Sequence, residues 1–325
     1  MTPLIPAKDQ LRLCFAHAAF DMKPIFDGLG RGIETIQVFN RDDLLACLPE
    51  VDVLVISALW KNDLLPVAGR LKYLQSISSG MNQYDLAAFR GRGIYVSSGQ
   101  GVNRNAVSEH AFGLILSLTR RLALARDNQH KAFWRPDQTD PMQREDELPG
   151  KTLLIVGLGT IGERIARLAK AFDMKVIGVR RDPAHGAGAA DEVHSFHDLK
   201  ALIPRADVVV LSCPLTEETR NLMDAGAIGL LKPTAFFVNV ARGGCVEEEA
   251  LIAALKAGRF AGAGIDVTAV EPLPVDSPLW SMPKVILTPH AAGETRKYER
   301  NVLEILTCNL DRLWAGDDAL VNRVA

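Results

Sequence analysis

Cysteine is scarce in this chain, and what there is shows no arrangement for pairing. Five cysteines among 325 residues (Cys14, Cys47, Cys213, Cys245 and Cys308) are odd in number, scattered, and form no CxxC unit. That excludes a disulfide framework or a zinc ribbon as the organising device, no metal site is expected, and a reducing compartment is implied. Excess charge is missing as well. The formal net charge of -2 leaves no global field to draw in nucleic acid or an anionic membrane. No uninterrupted apolar run approaches membrane-spanning length. The N-terminal MTPLIPAKDQLRLCFA breaks its apolar content with Pro, Lys, Asp and Arg, unlike a secretory leader. Short-period repeats and low-complexity tracts are also lacking. The expectation is a soluble, cytoplasmic protein with no nucleic-acid or membrane partner.

What remains is a balanced α/β sequence. Hydrophobic residues make up 48% and charged residues 23%, and the length suits two domains of ordinary size. In the first hundred residues LRLCFAH, DVLVIS, LKYLQSIS and GIYVSS are short apolar runs separated by helical or irregular segments. That spacing predicts a parallel sheet with crossover helices. One long helix is predicted from about Asn103 to Arg126, followed by the polar connector DNQHKAFWRPDQTDPMQREDELPG, longer than an ordinary loop and so either disordered or put to use, such as in wrapping a partner subunit. A second series then begins: TLLIVGLG, the amphipathic TIGERIARLAKAFD, KVIGVRR, DVVVLSC, AFFVNVAR, AGAGIDV and KVILTPH. This reads as a doubly wound sheet whose strand carboxyl ends line a site. The segment from about Thr295 to Trp314 is again helical.

GLGTIG follows a strand and opens a helix, the context in which a GxGxxG pattern signifies a dinucleotide. Gly157 permits the tight turn, Gly159 lets backbone approach a pyrophosphate, and Gly162 lets helix and sheet pack closely. The N–H groups of Thr160 and Ile161 then face phosphate from the positive end of the helix. About twenty residues on, where such units place an acid for the adenosine ribose, the chain has Arg180 and Arg181 in GVRRDP. A guanidinium there suits a 2′-phosphate and so NADP, with NAD still possible. A second arrangement stays open: Asp182 takes the ribose while the arginines stack on adenine or face water.

Three polar residues close late strands: Arg242 in NVARGG, Glu271 in GIDVTAVEPLP, and His290 in VILTPHAAG. Singly, each has a plain structural reading as a strand-end cap, a solvated loop acid and a satisfied histidine. Together with VSEHAFGLILSLTRRL, LPGKTLLIVGLGTIG and CPLTEETRNLMD, in this order and spacing, they resemble the D-isomer-specific 2-hydroxyacid dehydrogenases over nearly the whole chain. This family includes glyoxylate/hydroxypyruvate reductases and phosphoglycerate dehydrogenases.

The resemblance implies two Rossmann-like domains with parallel sheets. A flavodoxin-like substrate domain would span 1–99 plus 292–325, and a doubly wound dinucleotide-binding domain 100–291. It implies Arg242, Glu271 and His290 as the catalytic triad, with His290 the proton donor, Glu271 its orienting partner, and Arg242 the carboxylate ligand. The residue types agree, since imidazole is the side chain that titrates nearest neutral pH. Further cofactor contacts are implied for Pro214, Thr219, Val240 and Asp266, the last with the nicotinamide amide. Ser79, Gly80 and Met81 are implied to offer backbone N–H groups to the substrate carboxylate. Here SSGMN departs from the family's commoner glycine-rich stretch ending in aspartate, with Asn82 in the acid's place. The expected activity is NADPH-preferring reduction of small 2-keto acids such as glyoxylate or hydroxypyruvate to D-2-hydroxy acids, by a homodimer. The alternative is a nucleotide-sensing corepressor of the same family. A formate-type dehydrogenase fits less well, because such relatives place an amide where Glu271 stands.

Overall fold

The computed structural model describes residues 2–325. By internal contacts the chain divides into two compact units, residues 1–103 with 295–325, and residues 104–294.

The first unit holds β1 (Arg12–Ala16), α1 (Lys23–Asp27), β2 (Glu34–Val38), α2 (Arg41–Cys47), β3 (Val53–Ile56), β4 (Tyr73–Ser76), α3 (Leu86–Gly91) and β5 (Tyr95–Ser97). All strand pairings are parallel and the order is β2-β1-β3-β4-β5, the flavodoxin-like order. Because side chains alternate across a strand, consecutive residues feed two cores. Cys14, Leu54, Ile56 and Leu74 face one core, while Leu13, Phe15, Val53, Val55 and Tyr73 face the other. Strands covered on both faces explain the nearly unbroken apolar runs. The thiols of Cys14 and Cys47, far apart in sequence, lie 3.9 Å apart between β1 and α2.

The second unit holds α4 (Arg104–Thr119), α5 (Leu122–His130), β6 (Thr152–Val156), α6 (Thr160–Ala171), β7 (Lys175–Val179), β8 (Glu192–His194), α7 (Leu199–Leu202), β9 (Val208–Leu211), α8 (Ala225–Gly229), β10 (Phe236–Asn239), α9 (Glu248–Lys256), β11 (Gly262–Ile265) and β12 (Val285–Leu287). Its seven strands are parallel in the order β12-β11-β10-β9-β6-β7-β8. The order reverses between β6 and β9, and that switch point is where a doubly wound sheet leaves a crevice at its carboxyl edge. The chain then returns to the first unit as α10 (Tyr298–Trp314), burying Val302, Leu306, Leu310 and Leu313.

The single long helix expected from Asn103 to Arg126 is in fact two. Arg121 takes a left-handed conformation (φ 52), which ends α4 and lets α5 leave in a new direction, running on to His130 inside the expected connector. The strand expectations omitted β2 and β8, each of which lies at one edge of its sheet. No helix among the described residues is long and apolar enough to cross a membrane.

Candidate active site

The glycine-rich turn sits at the carboxyl end of β6. Gly157 has φ 105, and a Cβ there would lie 2.5 Å from the backbone nitrogen of Cys213 at the end of β9. A side chain would therefore wedge the switch point open. The Ser212 hydroxyl closes the same gap by donating to the Gly157 carbonyl at 2.9 Å. At Gly162 a Cβ would come within 2.3 Å of the Gly157 carbonyl oxygen, so only glycine lets α6 start this close to the strand. At Gly159 a Cβ would meet nothing within 4 Å, which leaves the mouth of α6 open for an approaching group. Thr160 and Ile161 form the first turn of that helix, whose N–H groups and positive dipole end suit a phosphate. These residues fit a dinucleotide.

The elements beside the turn carry the other expected cofactor residues. Thr219 is buried and donates to the Pro214 carbonyl at 2.6 Å, drawing residues 214–219 into a closed loop after β9. Val240, also buried, continues β10 with its N–H on the Leu211 carbonyl. Arg180 directly follows β7, is half-buried, and donates from Nη1 to the Gly186 carbonyl at 3.0 Å. Arg181 is largely exposed, with its Nε 3.5 Å from the Glu218 carboxylate. The Asp182 carboxylate is taken up locally: it accepts from Ala184 N at 2.9 Å and lies 3.0 Å from His185 Nδ1.

The three expected catalytic residues hang from the carboxyl ends of three adjacent strands. Arg242 follows β10 by three residues, Glu271 lies in the loop after β11, and His290 lies just beyond β12. His290 Nδ1 and Glu271 Oε2 are 2.7 Å apart. The other carboxylate oxygen, Oε1, accepts from Thr268 N at 3.1 Å, so both ends of the Glu271 head group are fixed. Both side chains remain partly open to solvent, at 44% and 37% exposure, as groups that must meet a substrate require. Arg242 is exposed and donates to the Ala241 carbonyl. Its turn is held by buried Asn239, which accepts from Ala241 N at 3.0 Å and donates to the Arg242 carbonyl at 3.2 Å. A Cβ on Gly243 would lie 1.9 Å from the Thr268 carbonyl oxygen, so the Arg242 turn presses directly on the loop that holds Glu271.

Asp266 is placed differently from a surface ligand. It is 3% exposed, and its Oδ1 accepts from Thr288 Oγ1 at 2.6 Å and from Ala291 N at 3.0 Å. Ala292 N reaches both oxygens, at 3.2 and 3.1 Å. His290 N donates to the Asp266 carbonyl at 2.8 Å. His290 itself has φ 54, a conformation that costs a non-glycine residue about 1–3 kcal/mol, and the grip of Asp266 is what sustains it. Sequence reasoning missed Asn239, Gly243 and His110, whose Nε2 lies 2.9 Å from Thr288 Oγ1. Polar residues at strand ends, and a histidine within an apolar helix, were the available signals.

Ser79, Gly80 and Met81 belong to the first unit, in the loop after β4. Ser79 and Gly80 are exposed, whereas Met81 is half-buried and packs on the core beneath the sheet.

Residues 112–292 match the family described as D-isomer specific 2-hydroxyacid dehydrogenase, NAD binding domain. A glyoxylate reductase of Thermofilum pendens is 36% identical over 293 residues, covering 87% of this chain and 85% of its own. A hydroxypyruvate reductase of Thermotoga maritima is 34% identical over 273 residues, covering 82% and 86%. Among solved structures, a D-isomer specific 2-hydroxyacid dehydrogenase family protein of Aeromonas salmonicida superposes with a TM-score of 0.83 at 30% identity, covering 97% of this chain and 99% of that one. The open glycine turn, the strand-end histidine–glutamate pair and these similarities converge: the chain belongs to the D-isomer specific 2-hydroxyacid dehydrogenase family, a family of nicotinamide-dependent oxidoreductases.

Proposed function

We propose that the protein reduces small 2-keto acids, of the size of glyoxylate or hydroxypyruvate, to D-2-hydroxy acids, with a preference for NADPH. The observation that carries this reading is the 2.7 Å contact between His290 Nδ1 and Glu271 Oε2. With Nδ1–H held on the carboxylate, Nε2 is the nitrogen left to give a proton to the substrate carbonyl oxygen. Glu271 stabilises the imidazolium before transfer and keeps the ring oriented after it. Arg242, on its own turn, holds the substrate carboxylate by paired charge-assisted hydrogen bonds and polarises the carbonyl. Residues 157–162, Pro214, Thr219 and Val240 hold the dinucleotide, and when bound its reduced nicotinamide supplies the hydride to the carbonyl carbon. Asp266 serves by positioning the 288–292 turn, beside the nicotinamide contact its family position implies. The N–H groups of residues 79–81 are assigned to a carboxylate.

The NADPH preference rests on Arg180. No carboxylate pairs with it among the described residues, whereas Asp182 is engaged in its own turn and Arg181 already has Glu218 nearby. The test is a purified-protein assay of NADPH oxidation with a panel of 2-keto acids. Turnover with the smaller acids is expected. Tight cofactor binding without turnover would overturn the enzyme reading in favour of nucleotide sensing.

A further inference from the structure

The face of α4 that packs on β11 is built in register with it. A Cβ on Gly264 would lie 2.9 Å from Leu114 Cβ, and one on Gly262 would lie 3.4 Å from Leu118 Cδ2. The helix therefore runs against the strand direction, stepping four residues where the strand steps two. The two steps match: four helical residues rise about 6 Å and two strand residues about 6.6 Å. The next step in the series pairs residue 110 with residue 266. His110 Nε2 is indeed 3.6 Å from Asp266 Oδ1 and 2.9 Å from Thr288 Oγ1.

The hydrogen-bond inventory around Thr288 sets the direction. Its hydroxyl has one hydrogen, which it donates to Asp266 Oδ1 at 2.6 Å. His110 Nε2 must then be the donor to Thr288 Oγ1. Donation runs from His110 to Thr288 and from Thr288 to Asp266, which also accepts from the N–H groups of Ala291 and Ala292, the two residues that follow His290 in its turn. We propose that His110 is a positioning residue: its donated hydrogen bond orients Thr288 and so fixes Asp266's hold on the turn that carries His290. The part that concerns turnover rests on His290 being the proton donor. The hold on the turn stands apart from it.

The experiment compares His110→Leu and His110→Gln in the full chain. Leucine removes the donor, whereas the glutamine side-chain amide places an N–H close to where Nε2 stood. Amide hydrogen exchange at Ala291 and Ala292, measured without added ligand, should quicken about tenfold in the leucine variant and return to near wild type in the glutamine variant. With cofactor and keto acid, kcat should fall roughly 10- to 100-fold in the leucine variant while KM changes little, with recovery in the glutamine variant. Thr288→Val should reproduce the leucine phenotype, which keeps the test available if His110→Leu does not fold. Unchanged exchange in a folded leucine or Thr288→Val variant overturns the proposal. So does a glutamine variant as impaired as the leucine one, since that marks a role in packing volume alone. Faster exchange in a protein that reduces no keto acid upholds the hold on the turn and sinks the reading of His290 instead.

Discussion

The proposed cofactor preference rests on Arg180, and its surroundings explain why this one side chain is worth altering. Arg180 is half-buried just after β7, and its guanidinium donates from Nη1 to the Gly186 carbonyl, so donors remain for a 2′-phosphate. Arg181 is more exposed and has the Glu218 carboxylate within 3.5 Å, which competes for the same charge. A charge-assisted hydrogen bond is worth about 1.5–3 kcal/mol, or one to two decades in affinity. Arg180→Asp should therefore move the NADPH-to-NADH ratio of kcat/KM by roughly one to three decades towards NADH. A wild type that already favours NADH would instead return the ribose to Asp182, despite the hydrogen bond that its carboxylate makes to Ala184 N.

At the scale of elements, the site depends on loops pressed together at the carboxyl ends of β10, β11 and β12. Gly243 is the tightest of these contacts, with its Cβ position 1.9 Å from the Thr268 carbonyl. Gly243→Ala should lower stability by about 1–3 kcal/mol, seen as a fall in Tm, and should lower kcat because the Arg242 and Glu271 loops must part. An unchanged Tm would contradict the close approach. Most of this architecture was legible in advance because the central strands are covered on both faces and read as apolar runs. The omitted strands, β2 and β8, are edges with one neighbour each, and their residues are largely half-exposed and mixed in polarity. The break at Arg121 has no glycine or proline to announce it; LSLTRRLALA is uniformly helical in character. Arg242, Glu271 and His290 could be put forward as candidates because each lies beyond a strand end in a recognisable pattern. His110 could not, because its partner Thr288 lies 178 residues away and the two meet only through the packing of α4 on β11.

At the scale of the whole molecule, α5 and the segment after it leave apolar side chains in solvent. Leu122 is 52% exposed, Phe133 53%, Trp134 95% and Met142 68%. Large apolar side chains concentrated on one region mark an association surface, and a second copy of this chain is the proposed occupant. Light scattering at micromolar concentration should give a mass about twice the 35.4 kDa of the chain, and a monomer would contradict this. The central claim, however, is chemical: the His290–Glu271 pair delivers the proton in keto-acid reduction. His290→Ala tests it most directly when kcat and cofactor affinity are measured on the same preparation. In that variant kcat should fall by roughly 10²–10⁴-fold while NADPH binds as it does to wild type. An unchanged kcat, or a loss of cofactor binding in its place, would contradict it.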